Sequence, residues 1–434
     1  MIFTLSRQNI LKSIWRILFW QVLYPLGKLG NLSIRYLKYI VARSISKLPV
    51  SSEIVGPPQG IYSSVKEWVD SANSPKTDAV YQEILPAHRI DLTKPSTIGD
   101  LHWEFNSYPT GIEFPSTFIA IIPQGRIWSA DSTNFSTSAI LTDDDMVLED
   151  VSIELKPLNQ LGRHLSLSQI KLPTVHKIDG NVAVLASAGG SKNYFHWVAD
   201  VLPRFYLLKR SGINLDEIDR FVVNSFQEPY QKESLSDLGI PQDKLIESSK
   251  YVHIKADRLI VPSLPAHTGS VPLWVCDFIR DKFLHLDMAD RANQPKRIYV
   301  SRSDANSRRI TNETDLIGIL LPLGFSVVIL SSLTVQEQAS LFANAEVIIG
   351  PHSSGFTNFA FCQPGTKVIE IFSPLAVARA FWLIASQLKL DYYYLLGEGE
   401  ILPKDNKWGL SLLYVDITVN INAFIQLLEL AGLA

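Results

Sequence analysis

Two rhythms of hydrophobic and polar positions run through the second half of this chain. Short apolar runs at Arg297–Ser301, Phe325–Leu330, Glu346–Ile349 and Lys367–Phe372 read as buried strands. The stretches between them repeat apolar positions at helical spacing. The segment Glu313–Leu321 predicts a helix with Asn312 as its N-cap, and Thr334 with Glu337 has the capping-box spacing for a helix running to Ala345. Upstream, Phe114–Leu155 alternates apolar runs with polar turns and predicts a β-rich entry. Asn181–Ala188 reads as a buried strand, Gly189-Gly190-Ser191 as a loop, and Asn193 as the N-cap of a helix starting at Tyr194. Strand-like runs at Arg220–Ser225 and Arg258–Pro262 bracket a helical stretch. Asp277–Arg291 reads as a long polar helix and Val419–Leu430 as the last one.

Alternating strands and helices predict an α/β protein with parallel sheets. The simplest architecture is two Rossmann-type, doubly wound domains facing one cleft. A Pro/Gly/Ser-rich stretch after residue 50 sets off the N-terminus. The expected layout is a basic segment at 1–50, a linker and irregular entry at 51–110, one α/β domain at 111–291 and a second at 292–434.

Composition narrows the function classes. At 434 residues, 46% hydrophobic and 19% charged, the chain is that of a folded protein long enough for two domains. Its net charge is −3, yet the first fifty residues hold eight Lys or Arg and no acid, which leaves the remainder at −11. Nucleic acid is therefore not the expected partner of the main body. Cys276 and Cys362 are the two cysteines, far apart in the chain, so neither a disulfide framework nor a zinc site is expected, and no metal ligand set is assigned. No apolar run is long enough to cross a membrane. Residues Ile10 to Leu23 place apolar side chains and Trp15 at helical spacing, with Lys12 and Arg16 between them. Such a basic amphipathic helix either lies on an anionic membrane surface or docks on the protein's own body. With no cleavable signal pattern, the expected location is the cytoplasm, peripheral at the inner membrane face.

Three clusters carry chemistry. Arg302, Arg308 and Arg309 follow the Arg297 strand, where ligands of open α/β sheets bind, and guanidinium groups match phosphate oxygens. The helix start at Asn312 and Glu313 adds oriented amides. The second cluster is Gly350-Pro351-His352-Ser353-Ser354-Gly355-Phe356-Thr357-Asn358, a near miss for a P-loop with Phe356 at the lysine position. Small residues there let backbone amides approach a ligand, and His352 can bond a phosphate or a sugar hydroxyl. Glu370 on the following strand joins this candidate set. The third is Asn193-Tyr194-Phe195-His196-Trp197-Val198-Ala199-Asp200, with Pro203-Arg204 beyond. His196 and Asp200 share a helix face, with Arg204 one turn on. Either His196 or Asp200 can act as a general base, the other positioning it or the acceptor. Pro203 is expected to kink the helix. Asp143-Asp144-Asp145 reads as a solvated turn, and no GxGxxG follows a strand.

These residues carry a resemblance. Tyr299-x-Ser301-Arg302, Arg309-Ile310-x-Asn312-Glu313, Gly324-Phe325, Glu337-Gln338 with Phe342 and Ala345, and His352-x-x-Gly355-x-Thr357-Asn358 with Phe361 and Pro364-Gly365 resemble the core of the family 61 glycosyltransferases. Asn193-x-x-His196-x-x-x-Asp200-x-x-Pro203-Arg204 is similar to the family's upstream motif. The resemblance implies a GT-B-like fold and an inverting glycosyltransferase. A sugar would pass from a nucleotide-sugar donor, UDP-linked, to a hydroxyl of a glycan or polysaccharide, with no obligatory cofactor. It makes 111–291 the acceptor side and 292–434 the nucleotide-sugar side. His196 and Asp200 become the catalytic candidates. Asn193, Arg204, Arg302, Arg308, Arg309, Asn312, Glu313, His352, Ser353, Ser354, Gly355, Thr357, Asn358 and Glu370 become the binding candidates. The family's loop reads His-Gly-Ala-Gly where this chain has His352-Ser353-Ser354-Gly355, a difference that narrows the donor pocket or changes its hydrogen bonds. The competing expectations are a non-catalytic nucleotide-sugar or glycan-binding protein on the same fold, and a sugar-nucleotide epimerase.

Overall fold

The computed structural model describes residues 57–71, 78–131, 136–155, 165–169, 172–250, 252–284, 294–401 and 414–434. The expected amphipathic segment at 1–50 lies outside them. Among the described residues no helix is long and apolar enough to cross a membrane. The protein is α/β, as the pattern predicts, and it divides into two compact units.

The first unit takes the described residues up to Tyr81, Ile121–Val182 and Ser248–Ile260. It is mostly antiparallel. Arg126–Asp131 pairs with Ser136–Leu141, which pairs in turn with Ile153–Leu155, and His253 to Lys255 pairs with Trp128 to Arg126. Alternate residues of these strands bury Trp128, Ala139 and Leu141 on one face, the period-two pattern that predicts the β-rich entry. The acidic run is the expected turn. Asp143 pairs with Lys255, Asp144 accepts from Tyr62, and Asp145 adopts a left-handed φ of 65° while pairing with Arg126.

The second unit comprises Gln82–Ala120, Ala183–Glu247 and Val261–Ala434. Its centre is a five-stranded parallel sheet formed by β1 (Arg297–Val300), β2 (Ser326–Val328), β3 (Val347–Pro351), β4 (Lys367–Phe372) and β5 (Asp391–Leu396). The spatial order is β2-β1-β3-β4-β5, every neighbouring pair parallel. The central strands are apolar almost without interruption because both faces are covered. On one face Tyr299, Ile349 and Ile369 meet Leu316 and Leu320 of the helix Glu313–Leu320, and Phe424, Leu427 and Leu428 of the helix Ile421–Leu430. The helices Val335–Asn344 and Ala380–Gln387 pack instead on the 3₁₀ segment Ser354–Phe361. This is a Rossmann-like, doubly wound sheet. Residues 82–110, read as linker and entry, belong to this unit by packing. Ser96 bridges to Tyr393 at the β5 edge, and Phe105 is buried among Phe372, Trp382, Tyr392 and Tyr394.

Element boundaries differ from expectation in three places. The regular strand ends at Val184 rather than Ala188. Beyond it the amides of Leu185 and Ala186 both turn to the single carbonyl of Val222. The helix expected over Asp277–Arg291 is Leu273–Phe283, placed by its buried stripe of Val275, Cys276, Phe278, Ile279 and Phe283, while 285–293 lie outside the described residues. Asn312 occupies the N-cap position without capping. Its side chain instead bonds both the N–H and the C=O of Val419, at 3.0 and 2.9 Å.

Candidate functional site

The sheet order reverses direction between β1 and β3, and open α/β sheets bind ligands at such a switch point, outside the carboxyl ends of the strands. The two loops leaving that point are the arginine loop after β1 and the His352 loop after β3. Gly350, in β3, permits the close approach of these strands, since a Cβ there would stand 2.7 Å from the carbonyl oxygen of Val300.

In the arginine loop the three guanidinium groups have different surroundings. Arg309 is half exposed and committed to Asp416, which accepts from its backbone N–H at 2.9 Å and from its guanidinium at 2.8 and 3.2 Å. Arg302 is held by the carbonyl of Ser307, at 3.0 and 3.3 Å. Burial first, and then the neighbouring charge of Arg308, pulls its pKa down to about 10. Arg308 sits on a left-handed backbone, φ 56°, which is uncommon for a side chain of this size. Its buried Nε has no hydrogen-bond partner among the described residues. Burial lowers its pKa, and the charges of Tyr414 and Glu370 oppose that effect. These two guanidinium groups are desolvated, and neither forms a salt bridge with a carboxylate among the described residues.

The His352 loop is braced from behind. His352 Nδ1 bonds Glu370, which is fully buried and also accepts from the phenol of Tyr392. The imidazole stacks on Phe372 at 5.2 Å and meets Phe381 at 5.3 Å. Ser353 is buried at the start of the 3₁₀ segment, Ser354 and Gly355 are partly exposed, and Thr357 returns its hydroxyl to the carbonyl of Ser354 at 2.7 Å. Asn358 is wholly internal. It accepts from Tyr194 at 2.9 Å and donates to Gln338 at 2.7 Å, which in turn donates to the carbonyls of Leu330 and Leu333. Glu313 accepts from Tyr299 at 2.9 Å. Thr357, Asn358, Asn312 and Glu313 thus hold the loops in place, and their side chains are occupied by protein partners.

The third cluster begins where Asn193 caps its helix, accepting from the N–H of Phe195 at 2.9 Å. The helix opens into one π turn, Trp197–Val201, closed by the N–H of Leu202 on the carbonyl of Trp197. Pro203, at the second position of the α-helix Leu202–Arg210, has no N–H to give, and its ring would crowd the carbonyl four residues back. The wider turn absorbs this where a kink is expected. His196 Nδ1 and Asp200 are 2.8 Å apart, with Asp200 nearly buried and His196 reaching solvent along one edge. Arg204 differs from expectation. It is buried and bonds the carbonyls of Pro262 and Ala186, so it fastens the helix to two neighbouring segments rather than facing a ligand. Burial pulls its pKa to about 9 against the opposing charge of Asp200.

The third cluster and the His352 loop meet. Beyond the Tyr194–Asn358 bond, Phe195 packs edge-on against Phe381 at 5.8 Å, and Phe381 touches His352. Both carboxylate-bound histidines therefore border one aromatic pair. Residues 194–369 match the glycosyltransferase 61 family. Over this span, about two fifths of the chain, the sequence is similar to glycosyltransferase family 61. The family 61 span holds every candidate residue except Asn193 and Glu370, which flank it by one position on either side. A xylan glycosyltransferase of Arabidopsis thaliana, MUCI21, is 30% identical over 139 residues, a stretch covering 30% of this chain and 27% of that protein. The chain thus matches about a quarter of the length of this relative.

Several residues of the candidate site are not evident from sequence. Phe381, Tyr392 and Asp416 lie outside the quoted motifs, and only the strand pairing and packing bring them to the site. For Tyr392 a signal exists, since it opens a Tyr392-Tyr393-Tyr394 run on a strand next to Glu370. Gln338, by contrast, stands in the quoted Glu337-Gln338 motif, and its buried amide joins Asn358 to the carbonyls of Leu330 and Leu333.

Proposed function

We propose that the protein is an inverting glycosyltransferase moving a sugar from a nucleotide-sugar donor to a hydroxyl of a glycan or polysaccharide. The observation that carries this reading is the pair of desolvated guanidinium groups, Arg302 and Arg308, at the switch point of the parallel sheet beside the His352 loop. The family match supports sugar transfer, and the relative's xylan points to a polysaccharide acceptor. The GT-B-like arrangement of two Rossmann-type domains belongs to this proposal, as do UDP as the nucleotide and the peripheral placement of residues 1–50 at the inner membrane face.

The step is a single displacement at the anomeric carbon. The bond from that carbon to the diphosphate oxygen breaks as the bond to the acceptor oxygen forms. The acceptor proton passes to Nε2 of His196, whose Nδ1 is held by Asp200. The electron pair leaves on the diphosphate, which Arg302 and Arg308 neutralise in a site of low dielectric. Of the three candidate arginines Arg309 is left out of this role, because Asp416 already satisfies it.

Calorimetric titration with UDP, run on the full chain and on Arg302→Ala and Arg308→Ala, tests this. A lost charge-assisted contact should weaken binding about 10–100-fold in each variant. His196→Ala should keep UDP binding and lose transfer from UDP-xylose or UDP-N-acetylglucosamine to xylan oligosaccharides. Absence of nucleotide binding by the folded wild type would remove the donor reading. Unchanged binding with no turnover under any acceptor would favour a binding protein, and donor turnover without acceptor an epimerase. Co-sedimentation of the full chain with anionic and with neutral vesicles tests the membrane placement, which fails if neither pellets the protein at low salt.

A further inference from the structure

We infer that Glu370 is a positioning residue: as a buried carboxylate it fixes His352 in the tautomer protonated at Nδ1, leaving Nε2 to accept a hydroxyl hydrogen bond from the bound sugar nucleotide. This rests on the donor reading of the same site.

His352, Glu370 and Tyr392 form one hydrogen-bonded chain. Glu370 projects from β4 with no solvent exposure, one oxygen turned to His352 Nδ1 and the other to the phenol of Tyr392. Burial and the charge of Glu370 hold the Tyr392 pKa well above its usual value, so the phenol keeps its proton and donates. A carboxylate accepts at both oxygens, which makes Nδ1 the donor. Imidazole in water prefers the opposite tautomer, so this one exists because of its partner.

The ring has no freedom to turn its other nitrogen inward. Phe372 stacks on it and Phe381 borders it, while the backbone N–H of His352 is fixed on the carbonyl of Ile371 at 2.9 Å. The side chain is 17% exposed. Nε2 is bonded to no described residue, and it is the ring's remaining hydrogen-bonding atom. A lone pair there suits a hydroxyl donor.

The test reads the tautomer directly. Long-range proton–nitrogen correlation spectra of the ¹⁵N-histidine-labelled full chain at pH 8, assigned by loss of the signal in His352→Gln, should show Nδ1 protonated and Nε2 not. In Glu370→Gln the amide oxygen is taken by Tyr392 and the amide nitrogen donates to Nδ1, so the tautomer should reverse. Adding Tyr392→Phe frees the amide to flip and should restore part of the original signal. Tyr392→Phe alone keeps the carboxylate and should keep the tautomer, which covers the case in which Glu370→Gln does not fold. A wild-type ring protonated at Nε2, or a tautomer unmoved in folded Glu370→Gln, overturns the inference. Titration with UDP and UDP-xylose should show about tenfold weaker binding in Glu370→Gln, as expected for one mismatched hydrogen bond. A reversed tautomer with unchanged affinity would refute the contact to the ligand. If the wild type binds neither probe, the donor reading fails and the ligand part of the inference with it, while the tautomer result stands as measured.

Discussion

Arg308 and Arg309 are neighbours in sequence with the same side chain, yet they sit in opposite environments. Arg309 turns to Asp416 at the surface, whereas Arg308, on a left-handed backbone, has its guanidinium desolvated and close enough to Arg302 to repel it. Arg309→Ala is accordingly expected to leave UDP affinity intact, against the 10–100-fold loss for Arg308→Ala, and parallel calorimetric titrations compare them. Equal losses in the two variants would return Arg309 to the site. Gly350 makes a separate prediction. A methyl group there would press on the Val300 carbonyl, a backbone atom that cannot swing aside. Gly350→Ala should cost about 1–3 kcal/mol, seen as a lower melting temperature, and should weaken UDP binding by spreading β1 from β3.

At the scale of elements, capping and register reproduce the sequence pattern closely. The helix Val335–Asn344 has the full capping box, Thr334 accepting from Glu337 N–H while the Glu337 carboxylate returns to Thr334. A second acceptor comes from elsewhere in the unit, since Glu233 receives the N–H groups of Val335 and Gln336 at 3.0 and 3.2 Å. Thr334→Ala should therefore cost only about 1 kcal/mol, and hydrogen exchange should show faster opening confined to the first turn. Global destabilisation well beyond that would mean Glu233 does not hold the helix end. The limits of pattern reading also lie at this scale. The π turn at Trp197–Val201 leaves the apolar spacing unchanged, so Pro203 predicts a disturbance but not its form. Asn312 looks like a cap by residue type, and a strand-like segment distant in sequence claims its amide instead.

For the whole molecule, pH dependence of stability depends on groups away from the site. His253 is buried in the first unit, with Nδ1 donating to Pro173 at 2.8 Å and Nε2 without a hydrogen-bond partner among the described residues. Burial lowers its pKa to about 4. Between about pH 6.5 and 4 the unfolded chain binds a proton there that the folded one does not, so this group makes stability fall as pH falls, by up to about 3 kcal/mol. Asp150 acts in the opposite sense. Burial raises its pKa to about 6, so its folded form holds a proton that the unfolded one has lost, and stability falls as pH rises from about 4 to 6. Urea melts of the full chain at pH 7, 5.5 and 4.5 should show a flatter acid limb in His253→Gln and a steeper one in Asp150→Asn. An unchanged profile in both variants would place the acid sensitivity elsewhere.

The sequence by itself determined the α/β class, the strands of the second half, the capping box and the three clusters that chemistry requires. Each of these rests on near neighbours in the chain: alternation, caps, or a loop that must follow a strand. It also supplied the His196–Asp200 pair, because spacing along one helix is local information. Tertiary structure decided which of these residues have side chains left to bind anything. Arg204, Asn312, Glu313, Thr357 and Asn358 have the right residue types but are occupied by partners that lie up to 164 positions away. It likewise decided that Glu370, Tyr392 and Arg308 surround one another, since adjacent parallel strands and one left-handed residue bring them together. Residue type sets what a side chain can do, but desolvation and partner geometry depend on segments that the chain's order does not place side by side.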